Sequence, residues 1–315
     1  MAEKNNQVSL IIQIPALNEE ASIVAAINSL PKTLAGISHI QVVVIDDGST
    51  DNTAMLAEQA GAEVVRLKHH AGLAHAFYTG VRTALSQRAD ILVNTDADLQ
   101  YPSNHIAELI APILAGRADL VIGDRLSARP AAFAPVKQAL EHLGSACVSA
   151  LSGIHVRDAA CGFRAFSRQA LETLVVHGTF SYTLETLIMA GKNHLAIVNI
   201  PIFINPPCRH SRLYKTVPRY IAASGVAILR AYLMYHPLAF FAAIGSVLLC
   251  GAFAVGGRFL ILSYLLHESG HVQSLILCAI LAMLGFQSLV LGFLGDVIAA
   301  NRRLIEEVRR EQFKS

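Results

Sequence analysis

Two carboxylates one residue apart follow an apolar run in this 315-residue chain. The stretch from Ile91 to Tyr101 reads ILVNTDADLQY, and its apolar start predicts a strand that delivers Asp96 and Asp98 at its exposed end. Such a pair suits Mg²⁺ or Mn²⁺, which prefers oxygen ligands and leaves coordination positions for substrate phosphates and water. For an isolated pair, the alternative interpretation is a polar turn that ends a buried strand.

Acidic residues also follow two other predicted strands. Glu19 comes shortly after the apolar run 8–14, and Asp47 follows the run 40–45 almost directly. In a parallel α/β sheet the ligand binds beyond the carboxyl ends of the strands, so these groups are expected to converge at one edge. Helix caps and turns explain each cluster singly but explain the whole set less well.

The elements that position these groups alternate along the chain. We predict strands at 8–14, 40–45, 63–67, 91–95, 119–124 and 196–204, and helices at 19–34, 53–60, 74–87, 135–152, 169–176 and 180–190. This alternation predicts an α/β fold with a mostly parallel, doubly wound sheet. The chain has no GxGxxG after its first strand and no GxxxxGK[ST], which argues against hydride transfer and P-loop phosphoryl transfer. A nucleotide held through a metal and carboxylates instead points towards a sugar nucleotide.

The chain is too apolar for an ordinary soluble protein, with 53% hydrophobic residues and a mean hydropathy of +0.47. The excess lies in the stretches 238–262 and 272–299, each longer than the roughly 20 residues needed to cross a bilayer. No Lys or Arg stands between them at 263–271, whereas both outer flanks are basic. The positive-inside rule therefore places the catalytic domain and both termini on the cytoplasmic side of the inner (cytoplasmic) cell membrane. A buried hairpin in a soluble core is the alternative, which these lengths disfavour.

We therefore expect four regions: a cytoplasmic catalytic domain at 1–210, a juxtamembrane amphipathic segment at 211–236, a transmembrane hairpin at 237–300 and a basic tail at 301–315. No basic run interleaved with aromatic residues occurs, which argues against a nucleic-acid partner. The five scattered cysteines argue against a disulfide framework or a zinc site, and the N-terminus lacks the pattern of a signal peptide. A homo-oligomer could form if the spans pack against neighbouring chains through their small residues Gly245, Gly251, Gly285 and Gly292.

The ordered motifs PALNEE, DDGSTDNT, DADLQ, GDR and DAACGFRAFSR resemble family 2 of the glycosyltransferases, which have the GT-A fold. Within that family the chain resembles the polyprenyl-phosphate glycosyltransferases, relatives of dolichol-phosphate mannosyltransferase and of the bactoprenol glucosyltransferases. The hairpin segment GHVQSLILCAILAMLGFQ resembles the bactoprenol branch. The resemblance implies a GT-A nucleotide-sugar-binding domain followed by interfacial amphipathic helices and a two-helix transmembrane hairpin.

The resemblance also implies roles for individual residues. The base and ribose of the nucleotide sugar would be lined by Pro15, Leu17, Glu19, Ile45 and Asp47. The metal and diphosphate would be held by Asp96, Ala97 and Asp98, with Gln100 nearby. The phosphate of the lipid would be bound by Arg125, Lys137, Arg209, Ser211 and Arg212. Lys137 stands where the family tends to have Arg, and Arg212 stands where it usually has Lys.

The expected reaction moves a hexose from a nucleotide sugar to a polyprenyl phosphate, with inversion at the anomeric carbon. UDP-glucose is the favoured donor, and GDP-mannose and UDP-N-acetylglucosamine are the alternatives. A phosphate monoester with a second pKa of ~6 is already mostly anionic at neutral pH, so a general base is optional. The candidates for a base are Asp158 first and then Glu185, a lone carboxylate in an apolar helix that could instead bond a backbone amide. Arg125 would screen the phosphate charge as a further catalytic group.

Three other functions share parts of this pattern. A processive polysaccharide synthase of the same fold usually has more spans and a QxxRW motif, and this chain contains no Trp. A sugar-nucleotide nucleotidyltransferase would not need the hairpin. A membrane-anchored binding or scaffold protein could keep the fold without the chemistry, although the intact Asp47, Asp96 and Asp98 argue against it.

Overall fold

Seven strands form one sheet in the order β3-β2-β1-β4-β6-β5-β7 in this computed structural model. The structure describes residues 8–128, 144–146, 148–149, 153–154, 156–174, 182–205, 225–226, 229–230, 232–233, 236–265 and 272–314. The strands are β1 (Ser9–Ala16), β2 (His39–Asp46), β3 (Glu63–Arg66), β4 (Ile91–Asn94), β5 (Leu120–Asp124), β6 (Arg164–Ser167) and β7 (Ile197–Pro201). All but β6 match predicted strands, with ends shifted by a few residues.

The sheet is mostly parallel, as predicted. β1 pairs in parallel with both β2 and β4, and β2–β3 and β5–β7 are also parallel. β6 runs antiparallel between β4 and β5. The central strands are apolar on both faces because helices cover both sides of such a sheet, and Leu10, Ile12 and Ile14 of β1 are fully buried.

The helices of this domain are α1 (Ile23–Ser29), α2 (Thr53–Gln59), α3 (Leu73–Ser86), α4 (His105–Leu114), α5 (Arg125–Ala128), α6 (Arg168–Thr173) and α7 (Tyr182–Lys192). The predicted helix at 19–34 was too long. The chain turns from Glu19 to Ser22 before α1 begins, and Pro31 cannot donate a helical hydrogen bond beyond its end. Helix α4 was not predicted, and it tolerates Pro112 in its interior. Most of the predicted helix at 135–152 lies outside the described residues.

Residues 229–315 form a second compact unit, separate from 1–228. It contains α8 (Pro237–Leu260), a π-helical turn (Ile261–Leu265) and α9 (Val272–Lys314). Within the described chain, Pro237–Ser263 and Val272–Asn301 are long and apolar enough to cross a membrane, with mean hydropathies of 2.4 and 2.3. Large apolar side chains on these helices are exposed, such as Phe253 at 79%. Most of the predicted amphipathic segment 211–236 lies outside the described residues, and the predicted tail 301–315 continues α9 as helix up to Lys314.

The two helices of the hairpin pack closely through glycines. A Cβ atom on Gly245 would lie 2.9 Å from the carbonyl oxygen of Gly285, and one on Gly292 would lie 3.1 Å from the Cβ of Phe241. Gly251 faces Leu281 of the partner helix at an ordinary contact distance. The four glycines that the sequence suggested for contacts between chains therefore serve contacts inside the hairpin.

Candidate active site

Three polar loops meet at the carboxyl edge of the sheet because β2, β1 and β4 are adjacent and parallel. Hydrogen bonds join the loops that follow β1 and β2. The amide of Asp47 donates to the carbonyl of Ala16 at 2.9 Å, and the amide of Glu19 donates to Thr53 Oγ1 at 2.7 Å. Asn18 takes a left-handed φ of 54° and accepts from the amide of Thr50 at 2.8 Å. The predicted convergence of acidic groups at this edge is confirmed.

Asp96 lies at the centre of this acidic edge. Its residue keeps some exposed surface, but the carboxyl group itself is enclosed by protein. This burial, and next the charge of Asp98, raises the pKa of Asp96 to about 7, with Glu19 adding to the shift and Arg125 opposing it. Asp98, Glu19 and Arg125 are therefore close enough to Asp96 for their charges to affect it. The residues form a concentration of negative charge that a cation would relieve.

The Asp96–Asp98 loop is held firmly. Leu99 takes a positive φ of 59°, and Asp98 Oδ1 accepts from the amide of Gln100 at 3.0 Å. Asn205, which follows β7, donates its amide to the carbonyl of Gln100 at 2.9 Å and its side chain to the carbonyl of Leu99 at 2.8 Å. The loop therefore presents its carboxylates from a fixed backbone.

The donor set fits a hard divalent cation. Among the described residues, no group of three or more His, Cys, Asp and Glu side chains could hold a metal ion by itself. Mg²⁺ commonly takes only one or two carboxylates and completes its shell with phosphate oxygens and water. Asp96 and Asp98 match that requirement when a diphosphate supplies the remaining ligands.

Arg125 and Asp158 form a two-point ion pair beside this edge. Arg125 Nε donates to Asp158 Oδ2 at 2.7 Å, and Nη2 donates to Oδ1 at 2.9 Å. The amides of Arg125 and Cys161 donate to the same carboxylate at 3.3 and 3.1 Å. These four donors use about all the lone pairs that the Asp158 carboxylate offers, so little capacity to accept a further proton remains. Asp158 is also fully buried. This arrangement favours a role for Asp158 in holding Arg125 over its predicted role as a general base.

Glu185 differs from its prediction. It lies on α7 and is half-buried rather than enclosed in an apolar setting. The partial exposure of Glu185 therefore accounts for a carboxylate in this helix. The phosphate-binding candidates Lys137, Arg209, Ser211 and Arg212 lie outside the described residues.

The predicted nucleotide-lining residues fall into two groups. Pro15 and Ile45 pair in register near the ends of β1 and β2. Both are buried, so they belong to the core next to this edge. Ala97 is also buried, whereas Leu17, Glu19 and Gln100 are half-buried and accessible from the edge.

Asp47 is committed to the loop after β3. Its carboxylate accepts from the amides of Ala71 and Gly72 at 2.8 and 2.9 Å and bonds His70 Nδ1 at 2.8 Å. The His70 side chain is 61% exposed, while that of Asp47 is 5% exposed. Because the carboxylate can only accept, His70 Nδ1 donates the proton of this hydrogen bond. Asp47 thus shapes the site by fixing residues 70–72.

Several buried polar residues near the site were missed from the sequence. Gln13 and Asn94 stand within the apolar runs IIQI and ILVN, and both side chains are fully buried. The sequence did carry a signal for them, because a polar residue within an apolar run that predicts a strand covered on both faces is expected to be buried. Arg164 is also fully buried, and its guanidinium donates to the carbonyls of Ala159, Cys161 and Thr183 and to the hydroxyl of Thr186.

Burial dominates the titration of the neighbouring groups. It raises the pKa of the Cys161 thiol to about 12, so this cysteine is protonated and is a poor nucleophile. It also raises the pKa of Tyr182, with Asp96 as the next cause, so the Tyr182 hydroxyl keeps its proton.

A family model and several known proteins match this chain in sequence. The family model described as Glycosyl transferase family 2 matches residues 11–175, slightly more than half of the chain. A UDP-N-acetylglucosamine--dolichyl-phosphate N-acetylglucosaminyltransferase of Methanococcus voltae is 32% identical over 212 residues, which cover 60% of this chain and 82% of that protein. A polyprenol monophosphomannose synthase of Mycolicibacterium smegmatis is 27% identical, with coverages of 62% and 77%.

The fold is also found among solved structures. Glucosyl-3-phosphoglycerate synthase from Mycobacterium tuberculosis, in complex with Mn²⁺, UDP and glucosyl-3-phosphoglycerate, has a TM-score of 0.56 and 23% sequence identity. The match covers 72% of this chain and 79% of that chain. This likeness concerns the fold alone, and it confirms the predicted GT-A fold.

Proposed function

The chain belongs to glycosyltransferase family 2, and from this premise we propose that it transfers a hexose from a nucleotide sugar to a polyprenyl phosphate. The observation that carries the proposal is the placement of Asp96 and Asp98 beyond β4, with Glu19 and Arg125 in electrostatic reach. This edge joins a cation-binding carboxylate pair to a positively charged group. Transfer of a sugar from a nucleoside diphosphate to a phosphate acceptor needs both, because the leaving group and the acceptor are both negatively charged.

The donor would lie along the carboxyl edge of the sheet. In our proposal the diphosphate lies at Asp96 and Asp98 beyond β4, and the nucleoside extends towards the loops after β1 and β2. Leu17, Glu19 and Gln100 are accessible for contact, and Asp47 holds the loop at 70–72 in place. When bound, Mg²⁺ or Mn²⁺ would neutralise the charge that develops on the departing nucleoside diphosphate.

In the transfer step, a phosphate oxygen of the lipid attacks the anomeric carbon of the sugar. The bond from that carbon to the diphosphate oxygen breaks, and its electron pair leaves with the nucleoside diphosphate. Displacement from the opposite face inverts the anomeric configuration. The acceptor oxygen is already ionised at neutral pH because a phosphate monoester has a second pKa of about 6, so no proton has to be removed.

Arg125 is the group that we assign to the acceptor phosphate. Its guanidinium has the planar fork that matches phosphate oxygens, and Asp158 fixes it by two hydrogen bonds. Its side chain is 12% exposed, so some of its surface remains accessible to a ligand. Pre-positioned charge of this kind stabilises a transition state without reorganising during the reaction.

The lipid acceptor is supported by the two apolar helices α8 and α9. A nucleotide-sugar enzyme with a water-soluble acceptor needs no such hairpin, whereas a polyprenyl phosphate is available only in a membrane. The two relatives are also named for dolichyl-phosphate and polyprenol substrates. We propose that α8 and α9 cross the inner (cytoplasmic) membrane with both termini and the catalytic domain in the cytoplasm, on the basis of the basic residues that flank the spans.

UDP-glucose is the donor that we propose first, on the likeness of the hairpin to the bactoprenol branch. UDP-N-acetylglucosamine and GDP-mannose are the competing donors, since one relative is named for UDP-N-acetylglucosamine and the other for a monophosphomannose product. A donor panel distinguishes these possibilities directly.

The test uses the full-length protein in detergent with undecaprenyl phosphate, Mg²⁺ or Mn²⁺, and each of the three radiolabelled donors in turn. We expect butanol-extractable label from one donor, and loss of that label on addition of EDTA. Label from UDP-N-acetylglucosamine or GDP-mannose would replace UDP-glucose in the proposal. No lipid-linked label from any donor would favour a binding or scaffold protein.

A further inference from the structure

Three buried polar side chains form a chain of hydrogen bonds beneath Asp96. Gln13 on β1 and Asn94 on β4 are fully buried, and Tyr182 on α7 is 3% exposed. Gln13 Nε2 donates to Asn94 Oδ1 at 2.7 Å. Asn94 Nδ2 donates to the Tyr182 hydroxyl at 3.0 Å and to the carbonyl of Gly162 at 2.8 Å. Asn94 therefore uses both its carbonyl and its amide hydrogens, which defines its orientation completely.

Gly162 is the point where this chain of bonds reaches Asp96. A Cβ atom on Gly162 would lie 3.7 Å from both carboxyl oxygens of Asp96 and only 2.7 Å from the Tyr182 hydroxyl oxygen. The Asp96 carboxyl and the Tyr182 hydroxyl therefore both lie near Gly162, on the side where a side chain would project. Because Asn94 binds both Gly162 and Tyr182, it controls two groups that border Asp96.

The buried side chain of Gln13 lowers the stability of the fold, and packing alone does not explain why it is there. Gln13 Oε1 is buried and has no hydrogen-bond partner among the described residues. An unsatisfied buried acceptor typically destabilises a fold by about 1–3 kcal/mol, and an apolar residue in this apolar strand would avoid that loss. Gly80 on α3 leaves room for this oxygen, since a Cβ there would lie only 1.8 Å from it. A costly buried polar group of this kind calls for a functional explanation.

We propose that Asn94 is a positioning residue for Asp96 and acts through Gly162 and Tyr182. It holds both groups so that the Asp96 carboxylate meets the cation in one orientation, while Gln13 holds Asn94. Outer groups that orient metal ligands commonly control metal affinity in this way. This proposal rests on the proposed function, because it assigns the cation site to Asp96.

The test measures Mn²⁺ binding as well as turnover. Tyr182→Phe removes only the hydroxyl and keeps the ring, which stacks on Phe77 at a centroid distance of 4.1 Å. Asn94→Ala removes the central residue. Thr173→Val is the matched control, because it also deletes a buried hydroxyl but does so on α6, where Thr173 Oγ1 donates to the carbonyl of Ala170.

Mn²⁺ is titrated into each protein and followed by electron paramagnetic resonance, in parallel series with UDP and with GDP. We expect Asn94→Ala and Tyr182→Phe to bind Mn²⁺ about 10- to 100-fold more weakly than the wild type. Their kcat should fall while the KM for undecaprenyl phosphate stays unchanged, because we assign the lipid phosphate to Arg125 and not to Asp96. Thr173→Val should match the wild type in all three quantities.

Two results separate this inference from the proposed function. If the wild type binds Mn²⁺ and both variants bind it equally well, the positioning role is wrong and the proposed function stands. If the wild type binds no Mn²⁺ with either nucleotide, the cation site itself is wrong and the inference is overturned with it. Should Asn94→Ala fail to fold, Tyr182→Phe decides the question alone. Equal weakening in Thr173→Val would assign the effect to general loss of stability and overturn the positioning role.

Discussion

The Arg125 guanidinium and the Asp158 carboxylate meet side by side, with Nε and Nη2 donating to Oδ2 and Oδ1 at 2.7 and 2.9 Å. Asp158 is fully buried, whereas the Arg125 side chain is 12% exposed. Asp158 is therefore the buried partner that holds Arg125, and Arg125 is the partner that keeps accessible surface. On this geometry we base the proposal that Arg125 acts in the chemistry and that Asp158 positions it.

We predict that Arg125→Ala lowers kcat/KM by about 10²–10³-fold, as expected for loss of a pre-positioned charge. Asp158→Asn should lower it less, because Asn still accepts one hydrogen bond from the guanidinium. In the double variant, Asp158→Asn should add less than about a factor of two to the effect of Arg125→Ala, because residues that act as a unit are not additive. Initial rates of lipid-linked product formation give these values.

A general base at Asp158 makes a different prediction for the same set. Removing it would cost its own factor of about 10²–10⁴ whether or not Arg125 is present. Full additivity in the double variant would therefore restore Asp158 as the base. The thermal unfolding of all three variants serves as the control, since Asp158 also accepts from the amides of Arg125 and Cys161.

Asp96 links function to stability through its pKa, which burial and then Asp98 raise from 3.8 to about 7. Between these values the unfolded carboxyl is ionised while the folded one keeps its proton, so the folded state loses stability as the pH rises through this window. Below it both states are protonated and the penalty vanishes; above it the penalty is complete. We predict that Asp96→Asn, which stays neutral, raises the melting temperature at pH 8 by several degrees and has little effect at pH 4.

The same variant should lose transfer activity by at least about 10²-fold. Scanning fluorimetry with an extrinsic dye, in the presence and absence of Mn²⁺, completes the measurement. With UDP or GDP present, Mn²⁺ should raise the melting temperature of the wild type at pH 8, because it binds the folded state, and should leave Asp96→Asn nearly unchanged. A variant that is less stable than the wild type at pH 8 without metal would contradict the raised pKa.

Gly48 tests whether Asp47 shapes the donor site through the loop at 70–72. Gly48 has a φ of +77°, and a Cβ there would lie 2.8 Å from the backbone nitrogen of His70. We predict that Gly48→Ala raises the KM for the donor by about tenfold, equivalent to about 1.4 kcal/mol, because the new methyl group displaces the loop that Asp47 holds.

Gly61→Ala is the matched control. Its φ of +89° imposes a similar backbone strain, but a Cβ there meets no atom of the described chain within 4 Å. Both variants should lose some stability from the strain, roughly 1–2 kcal/mol. Only Gly48→Ala should change the KM for the donor, and an equal change in Gly61→Ala would refute the role of the loop.

The fold was largely predictable because its strands are uninterrupted apolar runs. Residues 40–45 and 91–95 are read as strands by composition alone, and the alternation with helices predicts the parallel order of β1, β2 and β4. β6 was not predicted, because its four residues begin with a buried arginine and show no strand pattern. Its antiparallel direction depends on pairing with β4 and β5, which no local sequence encodes.

The candidate site was predictable in its acidic groups and not in their supports. The carboxylates Asp96 and Asp98 stand at a strand end, where the topology determines their location. Gln13 and Asn94 lie 81 residues apart, so their hydrogen bond depends on β1 and β4 being neighbours. The pairing of Arg125 with Asp158 is likewise a contact between distant segments. Motifs indicate which residues do chemistry, whereas the tertiary contacts indicate which residues hold them.

The last prediction concerns the hairpin, where Gly245 and Gly285 let α8 and α9 approach each other. A Cβ on Gly245 would meet the Gly285 carbonyl oxygen at 2.9 Å and the Leu289 side chain at 3.1 Å, so Gly245→Ala must separate the helices. We expect a loss of about 1–3 kcal/mol, visible as a lower melting temperature in detergent micelles. Gly257→Ala is the control on the same helix, because its methyl group meets no described atom within 4 Å and alanine favours a helix. The glycine contact is refuted if both variants melt at the temperature of the wild type, since a hairpin held by close backbone approach cannot tolerate a methyl group at that point.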